Sequence, residues 1–140
     1  MPSAVGFQLI TPRAIAFDGE AELIIAVGTE GEVGILPSHA PYLTALRPGV
    51  LRAVVRDDAG TQRFEFAAGE GFLQALPDKI TILTDAALDR DDVDVDAARA
   101  ELTAAVAEQQ AAAGDLVAWK RAKSKIDFAT AKLKVAGVSA

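Results

Sequence analysis

Residues 63–84 read R-F-E-F-A-A-G-E-G-F-L-Q-A-L-P-D-K-I-T-I-L-T. Arg63-Phe64-Glu65-Phe66 alternates charge with aromatic rings, and Lys79-Ile80-Thr81-Ile82 alternates polar with β-branched side chains. In an extended chain successive side chains point to opposite faces, so each tetrapeptide offers one apolar face. Gly69-Glu70-Gly71 and Pro77-Asp78 interrupt the runs with residues that suit turns. The stretch therefore predicts three short strands, over 63–67, 71–76 and 79–84, none long enough for a helix.

The same pattern continues upstream. Further β-rich runs fall at 7–10, 14–17, 22–27, 33–36, 42–45 and 50–55, with Asp57-Asp58-Ala59-Gly60 as another turn. Many short strands at regular spacing predict an antiparallel sandwich or flattened barrel. Parallel pairing is not expected, because no crossover helices are available in this half.

Beyond residue 88 the composition changes. After the acidic run Asp89-Arg90-Asp91-Asp92-Val93-Asp94, residues 95–113 are rich in Ala, Glu, Gln and Leu, all strong helix formers. Asp92 or Asp94 suits the N-cap, since a carboxylate accepts from free N–H groups and favours the positive end of the helix dipole. Gly114 breaks the run, Asp115 suits the cap of a second helix to about Val135, and Gly137 suits its stop. A link this short folds the two helices into an antiparallel hairpin. Val95, Ala98, Leu102 and Ala105 or Val106 form one expected seam. Leu116, Trp119, Ile126, Ala129 or Thr130, and Leu133 form the other. The fold class is thus β + α: an N-terminal antiparallel β-sandwich over 1–88, then a C-terminal antiparallel α-helical hairpin over 89–140. Seams rich in alanine bury little area, so the hairpin is expected to be the weaker element, able to detach.

With 140 residues, 51% of them hydrophobic, the chain has material for a compact core rather than a disordered tail. Aromatics are only 6%, so that core must be mostly aliphatic. The absence of cysteine excludes disulfides, thiolate metal sites and a cysteine nucleophile. Met1-Pro2-Ser3-Ala4-Val5-Gly6 lacks the basic and apolar segments of a secretory signal. No apolar stretch approaches the ~20 residues of a membrane span. These features predict a soluble, cytoplasmic chain. A net charge of −6 disfavours nucleic acid. The C-terminal part nevertheless carries Lys120, Arg121, Lys123, Lys125, Lys132 and Lys134 against Asp115 and Asp127. Such a helix suits either an acidic partner surface or plain solvation.

Catalytic chemistry is poorly supplied. His39 is the one histidine. Its neighbour Ser38 would point the other way on an extended chain, so the pair makes no nucleophile and base. A structural role for His39 is expected, and no metal cluster. Gly28, Gly31 and Gly34 superficially resemble a phosphate loop. Glu30 and Glu32 would repel phosphate there, and no helix follows. A turn needing positive φ is the better account.

The stretch V-G-T-E-G-E-V-G-I-L-P-S-H-A-P-Y-L-T-A-L-R-P-G, residues 27–49, resembles the signature region of the epsilon subunit of F-type ATP synthases. That pattern is close to G-x-x-G-x-x-G-I-x-P-x-H-A-P-x-x-T-x-x-x-P-G, and every defined position is met. Gly71-Phe72-Leu73-Gln74 and 80–85 look like the family's last two sandwich strands, and the order of parts agrees along the whole chain. The resemblance implies a non-catalytic rotor subunit of the F1 sector, coupling c-ring rotation to the central stalk. It further implies gamma and the c-ring as partners, and beta subunits for the hairpin. The location implied is the cytoplasmic face of the bacterial plasma membrane, with membrane contact only through the complex. Glu30, Gly31, Glu32 and His39 match the family's region facing ring and gamma. Lys120, Arg121, Lys123 and Lys125 suit an acidic beta surface.

Some members hold a regulatory ATP through the motif I/L-D-x-x-R-A, and Val95-Asp96-Ala97-Ala98-Arg99-Ala100 matches with Val first. Asp96, Arg99 and Ala100 are therefore nucleotide-site candidates by resemblance. Asp96 and Arg99 read equally well as an i,i+3 ion pair. Phe128 and Lys132 stand where ATP-binding members carry arginines, and lysine does not replace bidentate phosphate recognition. A free-standing nucleotide-sensing regulator is the alternative function. A carboxylate enzyme ranks last, for want of a convincing pair.

Overall fold

The computed structural model describes residues 4–138, so Met1-Pro2-Ser3 of the N-terminal reading lies outside the described residues. Ten strands come first: β1 (Val5–Ile10), β2 (Ile15–Ala21), β3 (Leu23–Gly28), β4 (Gly31–Ile35), β5 (Tyr42–Leu46), β6 (Gly49–Asp57), β7 (Gly60–Ala68), β8 (Gly71–Leu76), β9 (Lys79–Thr84) and β10 (Ala87–Leu88). A 3-10 turn at Arg90–Asp92 leads to α1 (Val95–Ala111) and α2 (Leu116–Val135).

Strand order is β10-β7-β6-β3-β5-β8-β9-β1-β2, with β4 paired to β3. The sheet folds at the single pair Gly28↔Leu46 between β3 and β5. Its two halves then face each other across Phe7 and Leu9, Ile24 and Ala26, Leu51 and Ala53, Leu73 and Ala75, and Ile80 and Ile82. The alternation read from the sequence holds here. Ile80 and Ile82 are fully buried, while Lys79 and Leu83 face outward. Phe17 stacks near Phe7 and Phe64, with ring centroids 5.4 and 5.2 Å away. Phe66 is the other buried ring of the core, which is otherwise aliphatic.

One pairing departs from expectation. β1 and β9 run parallel, in register from Gly6↔Lys79 to Ile10↔Leu83. No crossover helix is needed, because the intervening strands themselves carry the chain from one layer to the other and back.

The hairpin forms as read. Asp94 Oδ1 accepts from the Ala97 N–H and Asp115 Oδ1 from the Ala118 N–H, both at 3.1 Å. Asp89 caps the 3-10 turn instead, accepting from Asp91 and Asp92. Each such cap is worth about 1 kcal/mol. Gly114 takes φ +85° in the link, a region other residues enter at a cost. α2 stops before Gly137 as expected.

The two seams need correction. Ala98 and Ala105 of α1 and Ala122, Ala129 and Leu133 of α2 are buried. Leu116 and Trp119, placed in the seam by helical spacing, are instead 64% and 42% exposed. They lie in the first turn of α2, beside a hairpin link that leaves nothing for them to pack on. α2 also packs on the outer face of β6 and β7, where Ala131 and Val135 join the cross-strand pair Val50 and Ala67.

Candidate functional site

Three regions outside the core carry chemistry or unmatched surface. The first is the loop end of the sandwich. Thr29 and Glu30 form the β3–β4 turn and Gly31, which opens β4, takes φ +131°, so the sequence reading of a turn rather than a phosphate loop holds there. Glu30, Gly31 and Glu32 line a groove of about 330 Å³ together with Thr44 and Tyr42. The Arg47 Nε–H donates to the Gly28 carbonyl oxygen at 3.1 Å and fixes the base of that turn. His39 sits edge-on to Tyr42, with centroids 6.3 Å apart. Its Nδ1 lies 2.7 Å from the Ala40 carbonyl oxygen, a geometry in which Nδ1–H donates. The structure therefore brings Glu30, Gly31, Glu32 and His39 to one end, through Tyr42.

The second region was missed at the sequence level. On the outer face of β5, β8, β9, β1 and β2, the register aligns Ala45↔Phe72, Phe72↔Leu83, Leu83↔Ile10 and Ile10↔Ile15. Phe72 is 59% exposed and Leu83 51%, and Leu43 and Leu76 are exposed on the same side. A continuous apolar row across five strands is more than scattered surface hydrophobics. The signal was present in Gly71-Phe72-Leu73-Gln74, where adjacent apolar residues load both faces of one strand. One face fills the core, and the other needs a partner.

The third region is the hairpin. Ser124 Oγ donates to Glu70 Oε1 at 2.5 Å, joining α2 to the β7–β8 turn. Behind it, Thr84 Oγ1 bonds the Glu70 and Ala86 carbonyl oxygens. Burial, and then the Glu70 charge, push the Asp85 carboxyl above its ordinary value. An acid raised in the folded state stabilises when protonated, so this corner gains stability as pH falls through that raised value and loses it above. Ser124→Ala is expected to speed amide exchange in α2 about fivefold, the equivalent of one hydrogen bond of about 1 kcal/mol. Exchange in β8 and β9 should not change; equal acceleration there would mean the clasp serves the sandwich itself.

Within the hairpin, Lys132 Nζ pairs with Glu101 at 2.6 Å and Lys125 with Glu108 at 3.0 Å. Lys132 also lies 4.6 Å over the Phe128 ring. Lys123 pairs with Asp127 at 2.6 Å, while Lys120 and Arg121 are exposed near Leu116, Val117 and Trp119. Asp96, Arg99 and Ala100 are exposed on α1, and Asp96 and Arg99 form no ion pair with each other among the described residues.

Comparison with known proteins concerns the chain as a whole. The profile of the ATP synthase delta/epsilon chain beta-sandwich domain matches residues 4–90. The ATP synthase epsilon chain of Polaromonas naphthalenivorans is 35% identical, over 99% of this chain and 91% of its own length. This chain belongs to the ATP synthase epsilon family. The epsilon chain of Teredinibacter turnerae is 34% identical over 96% of this chain and 93% of its own. Two solved structures share the fold. A chain of the Euglena gracilis mitochondrial ATP synthase aligns at TM-score 0.76 and 20% identity, over 97% of this chain and 82% of its own. A chain of the Tetrahymena thermophila enzyme's central stalk and c-ring aligns at 0.59 and 21%, over 94% and 96%. These four matches run well past residue 90, so both helices fall within the aligned region.

Proposed function

We propose that this epsilon-family chain is a non-catalytic central-stalk subunit of ATP synthase that couples rotation of the c-ring to the stalk. The observation that carries the reading is the outer-face row Ala45, Phe72, Leu83, Ile10 and Ile15, which offers the gamma subunit a rigid apolar surface on five hydrogen-bonded strands. Torque needs a stiff connection, and a sheet with both layers sharing one core supplies it. The Glu30-Gly31-Glu32 turn and the His39 loop meet the c-ring, where acidic side chains set register and steer encounter more than they add affinity. Residues 1–88 do this work and residues 89–140 regulate it. The chain then lies peripherally on the cytoplasmic face of a bacterial membrane, touching lipid only through the complex.

The hairpin presents Lys120 and Arg121 beside uncovered Leu116, Val117 and Trp119, and arginine and tryptophan are residue types enriched in binding hot spots. Lys123, paired with Asp127, supports the same face. An acidic surface on the beta subunits suits this tip once the hairpin leaves the sandwich, which is how it would restrain ATP hydrolysis.

Mixing the chain with gamma and measuring complex formation tests the assignment. A one-to-one complex that survives deletion of residues 92–140 is the expected result. Binding that requires the hairpin and not the sandwich would reverse the roles given to the two parts.

A further inference from the structure

We propose that the pocket at Ile10, Gly71 and Leu83 is a socket for one basic side chain, an arginine or lysine, of the gamma subunit. The inference rests on the docking of gamma to the outer face of the sheet and names the chemistry beside the apolar row. The pocket measures about 370 Å³ and adjoins that row. Ile10, Pro12, Gly71 and Leu83 supply its apolar lining, and Glu70 and Asp85 its carboxylates.

Glu70 and Asp85 stand two positions beyond Phe72 and Leu83 along β8 and β9, so period-two alternation puts them on the same outer face. The Asp85 N–H donates to the Glu70 carbonyl oxygen at 3.1 Å, which sets the two residues opposite each other. A Cβ on Gly69 would collide with Asp85 Oδ1, so glycine there leaves the carboxylate its position. Like charges directly opposite on paired strands destabilise a sheet. Neither acid has an ion-pair partner among the described residues, and Arg13, beside Pro12 in sequence, pairs with neither. Glu70 Oε1 accepts from Ser124 Oγ, which leaves the second carboxylate oxygen for another donor.

Apolar walls that meet two carboxylates complement a long side chain with a cationic head. Lysine and arginine lay their methylene stems along apolar surface while the head stays among polar groups. An acidic or neutral side chain from the partner would leave the two charges uncompensated. Arginine can donate to both carboxylates from its planar fork, and lysine serves them as a point charge. Ligand pockets span roughly 300–1,000 Å³, and a volume near the bottom of that range admits one such side chain and not a helix. Gamma closing over the row removes water from the pocket, which strengthens the pair.

Titration calorimetry and stopped-flow kinetics of gamma with the full chain test the socket. Asp85→Asn and Glu70→Gln keep shape and an acceptor oxygen while removing one charge each. Each should weaken the complex about tenfold, the loss of one charged hydrogen bond. The loss should sit in the dissociation rate, as for a charge enclosed by the contact. The double variant should also flatten the salt dependence of the affinity. Asp58→Asn, in the exposed β6–β7 turn of the other layer, removes the same charge and should change nothing. The isolated Asp85→Asn chain should melt no lower than wild type, since a like-charge contact is relieved. A lower midpoint together with the affinity loss would give the acids a structural role and overturn the socket. Wild-type affinity and salt dependence in the double variant would also overturn it, while leaving gamma on the apolar row. A loss confined to the association rate would replace the socket with long-range steering. Failure of the wild-type chain to bind gamma at all would overturn the docking itself, and the socket with it.

Discussion

Gly71→Ala is expected to lower the unfolding free energy by about 3 kcal/mol, at the upper end of what one added methyl costs in a packed site. Gly71 begins β8 and is registered against Thr84 on β9 and Leu46 on β5, so it sits between two strands. A Cβ built there would lie 2.0 Å from the Leu83 carbonyl oxygen and 2.8 Å from the Thr84 Cα. Both are backbone atoms, and no rotamer change can relieve the overlap. β9 would have to move, and with it Ile80 and Ile82 in the core. The backbone angle at Gly71 is one that alanine tolerates, so space alone decides the effect. Thermal unfolding should show a midpoint on the order of 10 °C lower. Gly34→Ala is the matched control. It adds the same methyl in a strand, with its nearest neighbour, Leu23 Cδ1, at 3.8 Å. That variant should hold or slightly gain stability as the unfolded chain loses freedom. Equal midpoints for the two variants would mean β9 is not pressed against Gly71.

How far the sequence was readable follows from which signals are local. Arg63-Phe64-Glu65-Phe66 and Lys79-Ile80-Thr81-Ile82 fix both strand and face, because period-two alternation needs no knowledge of the partner. Asp94, Asp115, Gly114 and Gly137 mark helix limits for the same reason: capping satisfies groups within a few residues. The parallel pairing of β1 with β9 has no such mark, since it joins residues about seventy positions apart. β10, two residues long, is too short to show a period. Leu116 and Trp119 illustrate a different limit. Helical spacing tells which residues share a stripe, but not where the neighbouring surface ends.

The interaction residues divide the same way. Glu30, Gly31, Glu32 and His39 stood out by motif, and the fold gathers them around Tyr42. Ser124 and Glu70 meet across 54 positions with no pattern to connect them. The row through Phe72 and Leu83 was half legible. Each strand showed an apolar residue on its outward face, yet only the register reveals that these residues line up.

Register also makes that row the place where one charge should do most damage. Phe72→Glu is expected to weaken association with gamma about 100-fold, because a central apolar anchor commonly carries 2 kcal/mol or more and a buried, unpaired carboxylate adds its own cost. Stability of the isolated chain should change by no more than about 0.5 kcal/mol, as Phe72 faces solvent there and only Leu73 and Ala75 of β8 reach the core. Leu83→Glu should act similarly, and the double variant should fall short of the sum, since the two side chains are direct cross-strand neighbours. Leu116→Glu provides the contrast. It places the same charge on an equally exposed apolar residue at the hairpin tip, and it should leave docking to gamma intact. Titration calorimetry of gamma with each variant distinguishes the surfaces. Wild-type affinity in Phe72→Glu and Leu83→Glu, with loss in Leu116→Glu, would move the stalk contact from the sheet to the helices. An equal loss in all three would show that gamma responds to total charge rather than to this face. A loss confined to the two sheet variants is the outcome that a stiff, strand-borne contact requires.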